Sequence, residues 1–446
     1  MMVTSAKHKM SPTIFISAGE ASGEHYGALL VATLQKQLAA AGQSASFFGM
    51  GGQRMDAAGL ECVVRSEDMA VMGLTEVVRH LPRIYREFRK LKQAIRRCPP
   101  SVAVLIDFPE IHFRLAEEFQ RLGVPVVYFV SPQLWAWKKH RIRLVRKYID
   151  KMLVIFPFEE PFYRQQGVQA EFVGHPLAEL PPPSISREDF AAANSLDPAK
   201  TWIGLLPGSR AKEIRDHLPE LLRAARQLDQ AAEKLGSQFI SCQGTTSVVP
   251  QKQNNELRAL APEGMAFEFL IPLAPTLNGP QREEVRQIIA AHGAGLTLRL
   301  IDDIGAEGAV DPTAGGARAT LFHARVSVVA SGTATVEAAL IGNPFVVVYR
   351  VSPLTFAIAK RVVKVPFVAM ANLIAGKQVV PELLQDDFTA ENIVQHIKPL
   401  LPEGPARQSM MEDLALVRSL LHPGARESGA IDRVATVTLE MIRRTG

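Results

Sequence analysis

Leu205-Leu206-Pro207-Gly208-Ser209-Arg210 and Ser331-Gly332-Thr333-Ala334-Thr335-Val336-Glu337 are two short polar turns. Each follows an apolar run, Trp202 to Leu206 in the first case and Val326-Ser327-Val328-Val329-Ala330 in the second. Small residues where a buried strand passes into a helix let backbone amides approach an anion, and the helix adds unsatisfied N–H groups and a favourable dipole. Two such turns in one half of a chain predict a diphosphate held between them. Arg210 suits that cradle as a forked, permanently charged donor, and Glu337, inside the next helix, suits ribose hydroxyls as an acceptor.

Outward from these turns, strand, loop and helix alternate. In the front half the strands are Thr13 to Ser17, Ser46-Phe47-Phe48, Val102 to Ile106, Val126 to Val130 and Met152 to Phe156, with helices near Tyr26 to Ala40 and Thr75 to Arg97. In the rear half they are Trp202 to Leu206, Phe269 to Leu273, Leu296 to Ile301, Val326 to Ala330 and Phe345 to Tyr349. Between them, Glu179-Leu180-Pro181-Pro182-Pro183-Ser184 denies helix and strand alike and reads as a linker. The expected fold is α/β: two doubly wound, Rossmann-like domains with a cleft between them. The boundaries predicted are 1–178, a linker over 179–200, a second domain over 201–388 and C-terminal helices over 389–446. Residues 243–255 and 305–318 read as surface insertions.

The 446 residues exceed one ordinary core, and a hydrophobic fraction of 47% can fill two. The formal charge of +5 suits phosphorylated substrates or an anionic membrane face as readily as nucleic acid. Three cysteines, Cys62, Cys98 and Cys242, have no paired spacing, which argues against a disulfide framework or a zinc knuckle and for a reducing compartment. No stretch of about eighteen apolar residues runs uninterrupted, so no membrane span is expected.

Asp107 closes an apolar strand and should project from its carboxyl end, where a general base is useful for drawing a proton from an attacking hydroxyl. The competing reading is a helix cap. Glu110 is a second, less favoured candidate. Gly19-Glu20-Ala21-Ser22-Gly23-Glu24 looks like a phosphate turn but matches no nucleotide fingerprint, and its glutamates would repel phosphate. Gly19, Glu20, Ser22 and Gly23 therefore read as a wall of the cleft, or as a capping turn. His175 either lines the cleft or is a structural histidine. Trp135-Ala136-Trp137 and the basic run after it face sugars or a membrane, or pack as an ordinary helix. Met69, Val71, Met72 and Leu74 precede a basic amphipathic helix bearing Arg83, Arg86, Arg89 and Lys90. That combination suits an anionic bilayer, with a core-facing stripe as the alternative. Asp302-Asp303 resembles a metal-holding acidic pair, but no third ligand is evident, and neither a metal nor a cofactor is expected.

Taken together, these segments resemble the lipid-A-disaccharide synthase family, inverting glycosyltransferases of the two-domain GT-B architecture. The resemblance rests on Ser-Gly at 22–23, Met-Ala-Val-Met-Gly at 69–73, Ile-Asp at 106–107, Val-Ser-Pro at 130–132, Trp-Ala-Trp at 135–137 and Pro-Phe-Glu at 157–159. It continues with Gly-His at 174–175, Leu-Pro-Gly-Ser-Arg at 206–210, Ser-Gly-Thr-Ala at 331–334 with Glu337, and Asn-Leu at 372–373 with Ala-Gly at 375–376.

It implies transfer of 2,3-diacylglucosamine from UDP-2,3-diacylglucosamine to 2,3-diacylglucosamine 1-phosphate, with Asp107 as general base and Ser209, Arg210, Gly332, Thr333, Glu337 and Asn372 on the nucleotide. It also implies a cytoplasmic enzyme peripheral to the inner membrane of Gram-negative-type bacteria, with no nucleic-acid partner, and a homodimer open to exchange of C-terminal segments. The chain departs from the family pattern at Glu110-Ile111-His112, where an aspartate, an aromatic and an asparagine are usual, and at Met370-Ala371 before Asn372, where Leu-Pro is usual.

Overall fold

Near-continuous runs of Val, Ile, Leu and Phe make strands that must be buried on both faces, and this is how they are used. In the computed structural model, residues 11–69, 74–137, 139–243, 266–302, 315–362, 365–422 and 428–445 are described. The chain forms two units, one of Met1–Glu179 with Leu421–Gly446, the other of Leu180–Leu420.

Among the described residues the first unit has β1 (Thr13–Ala18), β2 (Ser46–Gly51), β3 (Glu61–Arg65), β4 (Val102–Ile106), β5 (Val126–Phe129), β6 (Lys151–Val154) and β7 (Ala170–Phe172). All neighbours pair in parallel, in the order β3-β2-β1-β4-β5-β6-β7. The register sets Ala18 beside Ile106 and Ile106 beside Phe129, so β1, β4 and β5 end level with one another. Phe15 packs edge-on against Phe48 at 5.3 Å and at a tilt against Phe119 at 4.9 Å. Leu91 and Ile95, from the helix Leu74–Arg97, close that core.

The C-terminal helix Ala430–Thr445 packs on the helix Ala21–Ala40. Arg433 grips Glu171 with two hydrogen bonds, at 2.7 and 3.1 Å, and the Glu179 carboxylate accepts from the Ala430 N–H at the helix start. These contacts make residues 421–446 part of the first unit.

The second unit has β8 (Thr201–Leu206), β9 (Phe267–Pro272), β10 (Leu298–Ile301), β11 (Val326–Ala330), β12 (Phe345–Tyr349) and β13 (Glu382–Leu384), parallel in the order β10-β9-β8-β11-β12-β13. The stretch expected to be a linker is only partly one. Ser186 caps the helix Arg187–Asn194 by accepting from the Asp189 N–H at 3.0 Å, and Phe190 packs on Trp202 at 5.8 Å. The prolines stop the chain, but the apolar residues beyond them belong to this second core. Of the two expected insertions, 244–255 and 305–314 lie outside the described residues, while Gly316–His323 is a helix that buries Arg318.

Both sheets run outward from their first strand and then reverse. The reversal falls between β1 and β4 in one unit and between β8 and β11 in the other. Loops leaving the carboxyl ends of adjacent strands diverge at such a reversal and leave a crevice. The residues singled out from sequence lie on those four strand ends: Gly19, Asp107, Gly208 to Arg210, and Ser331 to Thr333.

Candidate active site

Asp107 follows β4, and its backbone is unusual. Asp107 and Phe108 both have φ of 52°, and Val130, at the end of neighbouring β5, has φ of 63°. Left-handed backbone costs non-glycine residues energy, so it persists only where surrounding contacts dictate it. Here they do. The Asp107 N–H continues the ladder to Phe129 O at 3.0 Å. Its carbonyl, which has left the ladder, accepts from the Tyr128 hydroxyl at 2.6 Å and meets His112 Nδ1. Phe108, not Asp107, occupies the N-cap position of the helix Pro109–Arg121. The helix-cap reading of Asp107 is therefore set aside. The residue is half-buried, and desolvation of its carboxyl together with the negative charge of Glu20 and, to a lesser degree, Glu110 pushes its pKa up to about 7. A hydrogen bond from the Phe108 backbone opposes that rise.

The Gly19-Glu20 turn is shorter than the sequence suggests, because the helix already begins at Ala21 and takes Ser22 and Gly23 into its first turn. Gly19 lies against the Phe108 ring, where a Cβ would come within 2.3 Å, and Gly23 packs on Ala18 and Ile106. These glycines permit close packing of loop and helix onto β4. Glu20 is exposed at the N-cap position. Glu110 is exposed and paired with Arg141 at 3.2 Å. His175 is structural: it is buried, its Nδ1 accepts from Leu177 N–H at 3.2 Å, and its own N–H donates to Leu421 O. The indole of Trp135 donates to buried Glu159 at 3.2 Å, whereas Trp137 is 42% exposed.

In the second unit, Gly208 has φ of +121°, and a Cβ there would meet the Glu213 carboxylate at 2.5 Å. Ser209 and Arg210 are exposed, and both donate to Glu213. His217 is fully buried beneath this turn, with Nδ1 bonded to Pro207 O at 2.7 Å and Nε2 accepting from Arg350 N–H at 3.0 Å. Gly332 and Thr333 are exposed at the start of the helix Thr333–Ile341, with open space over Gly332. Glu337 is half-buried one turn on.

Asn372 departs from its expected role. Fully buried, its amide donates to Val380 O and Glu382 Oε1 at 2.9 and 2.8 Å and accepts from Val379 and Val380 N–H at 2.7 and 2.9 Å. All its bonding capacity is committed to the framework.

Met69 is likewise core, buried in the helix Ser66–Met69 against the first unit's cluster. Val71 and Met72 lie outside the described residues, and Leu74 opens the helix Leu74–Arg97. That helix shows an exposed face of Arg83, Tyr85, Arg86, Arg89 and Lys90, with Tyr85 63% exposed. Asp302 is paired with Arg282, and Asp303 lies outside the described residues.

Ser17, His112, Tyr128, Glu213 and His217 were not anticipated. Apart from His112, which stands where the family pattern has an asparagine, none stands in a motif, and each acquires its role only when separate elements meet.

Two Rossmann-like sheets, one with an acid at its switch point and the other with anion-ready turns at its own, define the GT-B class of α/β proteins. Solved structures share this fold. The calicheamicin glycosyltransferase CalG4 aligns with a TM-score of 0.54 at 16% identity over 98% of this chain and 99% of that one. The UDP-GlcNAc 2-epimerase from Neisseria meningitidis aligns with a TM-score of 0.53 at 12% identity over 98% and 100%. The family model for lipid-A-disaccharide synthetase matches residues 14–274 and 311–430. The lipid-A-disaccharide synthase of Acidobacterium capsulatum is 56% identical over 435 residues, covering 97% of each chain. That of Koribacter versatilis is 44% identical over 431 residues, covering 97% of this chain and 99% of its own. The chain belongs to the lipid-A-disaccharide synthetase family.

Proposed function

We propose that the protein transfers 2,3-diacylglucosamine from UDP-2,3-diacylglucosamine to 2,3-diacylglucosamine 1-phosphate, forming the β-1,6-linked disaccharide 1-phosphate and UDP. Family membership supplies the substrates. The observation that carries the chemistry is Asp107, an acid at a switch point whose carboxyl is poised near pH 7. A base of that strength both accepts a proton and gives it up again at neutral pH. The acceptor 6-hydroxyl oxygen attacks the anomeric carbon, its proton passes to the Asp107 carboxylate, and the bond to the diphosphate breaks with its electron pair leaving on UDP. Attack opposite the leaving group inverts the anomeric centre.

The second unit's residues serve the nucleotide. Ser209, Gly332 and Thr333 offer backbone N–H groups at helix starts, Arg210 adds a guanidinium, and Glu337 accepts from the ribose. Charge growing on the departing diphosphate is met by these fixed donors. Asn372 supports this pocket from within the framework.

The exposed basic face with Tyr85 supports peripheral attachment to the anionic cytoplasmic leaflet of the inner membrane. Among the described residues no helix is long and apolar enough to cross a membrane. The same reading carries a homodimer, for which the mass in solution is the test.

Incubating the purified protein with both labelled lipids should release UDP and disaccharide in equal amounts. Product from the nucleotide sugar alone would replace this reading with epimerisation. Vesicle binding without UDP release would leave a binding module.

A further inference from the structure

We propose that His112 is a positioning residue for Asp107: its neutral ring bridges the Ser17 hydroxyl and the Asp107 carbonyl and holds the left-handed Asp107-Phe108 backbone that aims the carboxylate. This rests on Asp107 being the base.

The bridge is built from three elements. Ser17 Oγ, near the end of β1, lies 2.8 Å from His112 Nε2, and His112, in the helix Pro109–Arg121, sets Nδ1 on the Asp107 carbonyl. Tyr128, on β5, brings its hydroxyl to the same carbonyl at 2.6 Å. A carbonyl has two lone pairs, and this one has two donors. Neither the ladder nor the helix engages it, so without them a polar group would stand unpaired beside the core. Ser17, His112 and Tyr128 are all fully buried.

The direction of each bond follows. Burial pushes the His112 pKa down to about 3, so the ring carries one proton at neutral pH. A carbonyl only accepts, so that proton sits on Nδ1, and Nε2 accepts from Ser17. Tyr128 stays protonated because burial, and the Asp107 charge after it, raises its pKa well above 10. The arrangement is thus fixed over the working pH range.

It also explains the departure from the family pattern at 112. An asparagine amide can imitate the Nδ1 donor of histidine but reaches less far toward Ser17. Position 112 faces inward in this chain and is not an acceptor contact.

Four variants and one spectrum test this. His112→Leu removes both bonds, His112→Gln removes the donor at the Nδ1 position, His112→Asn keeps it, and Tyr128→Phe removes the second donor. Leu and Gln should lower kcat by roughly 10²-fold with donor KM within about twofold, as expected when a reacting group is misplaced by about an ångström. Asn should recover most of the loss, and Phe should fall between. In the impaired variants the acid limb of kcat/KM should move, because the carboxyl shifts relative to Glu20, Glu110, the Phe108 N–H and the Tyr128 phenol with its neighbours Tyr163 and Arg141. Wild-type kcat in Leu or Gln, an Asn variant no better than Gln, or losses that track only the unfolded fraction by circular dichroism would overturn the proposal. The 15N spectrum of histidine-labelled wild type needs no substrate. It should show His112 as the neutral Nδ1–H tautomer from about pH 5 to about pH 8. An Nε2–H ring, or titration in that range, would refute the bridge even if transferase activity stands; a missing activity with the expected spectrum would instead fault the functional reading.

Discussion

Arg210 Nη1 donates to Glu213 Oε1 at 3.2 Å, so the guanidinium suited to a diphosphate is already held by a carboxylate from the first turn of the helix that follows it. The other oxygen of Glu213 accepts from the Ser209 N–H at 3.2 Å. A glutamate in the first turn reaching back to free amides is a familiar capping device. On the proposed function, it stands where the diphosphate would bind.

Glu213→Gln keeps the shape and removes the charge. UDP should then bind about two- to fivefold more tightly in calorimetry at low salt, the size expected for a half-exposed ion pair. Weaker binding would mean that Glu213 orients Arg210 in the bound state as well.

Asp107 has a pKa raised to about 7, so the ionised, proton-accepting form grows as pH rises through that value. The acid limb of kcat/KM should lie near pH 7. Glu20 is the largest charged contributor to the rise, and its neutralisation favours the ionised carboxylate. In Glu20→Gln the limb should move to lower pH, raising the ratio of activity at pH 6 to activity at pH 8. A limb that stays in place would remove Glu20 from the tuning.

The same shift has a stability consequence. The folded state binds the Asp107 proton more tightly than the unfolded chain, so its contribution is present below the unfolded value near 4 and fades as pH rises through about 7. Asp107→Asn should stabilise the first unit at pH 8, by on the order of 2 kcal/mol, and much less at pH 4. Thermal melts at the two pH values test this, and an equal or opposite change would contradict it.

Asn372 ties its helix to residues 379–382 by four hydrogen bonds. Asn372→Ala should cost about 2–4 kcal/mol in the second unit. At a temperature where the variant stays folded, its UDP affinity should match wild type. A large affinity loss without loss of stability would restore the residue to the nucleotide.

The interior strands were legible because parallel strands buried on both faces must be apolar without interruption, as at Val102–Ile106 and Val326–Ala330. The strands that escaped notice, Glu61–Arg65, Ala170–Phe172 and Glu382–Leu384, all lie at sheet edges. One side of an edge strand is unpaired, and charged residues there discourage association with other chains. Their apolar runs are therefore no longer than the three residues Cys62-Val63-Val64.

The first helix starts earlier than the sequence predicts because small residues at Ala21-Ser22-Gly23 signal a turn, whereas here they let a helix lie close on Ile106. Asp107 and the two polar turns are visible in the sequence as strand-end residues. The left-handed backbone at Asp107 and Phe108 is not, because no glycine marks it and its causes, Tyr128 and His112, arrive from elsewhere in the chain. The sequence predicts a contact at Asn372 because a motif shows residue identity and not which way the side chain faces.

The most direct test of the account is single-turnover UDP release by Asp107→Asn with both lipids saturating, beside calorimetric UDP binding. If Asp107 takes the proton, release should fall by at least about 10³-fold with UDP affinity unchanged within about twofold. Release within about tenfold of wild type, in a variant that still binds UDP, would show that some other group takes the proton.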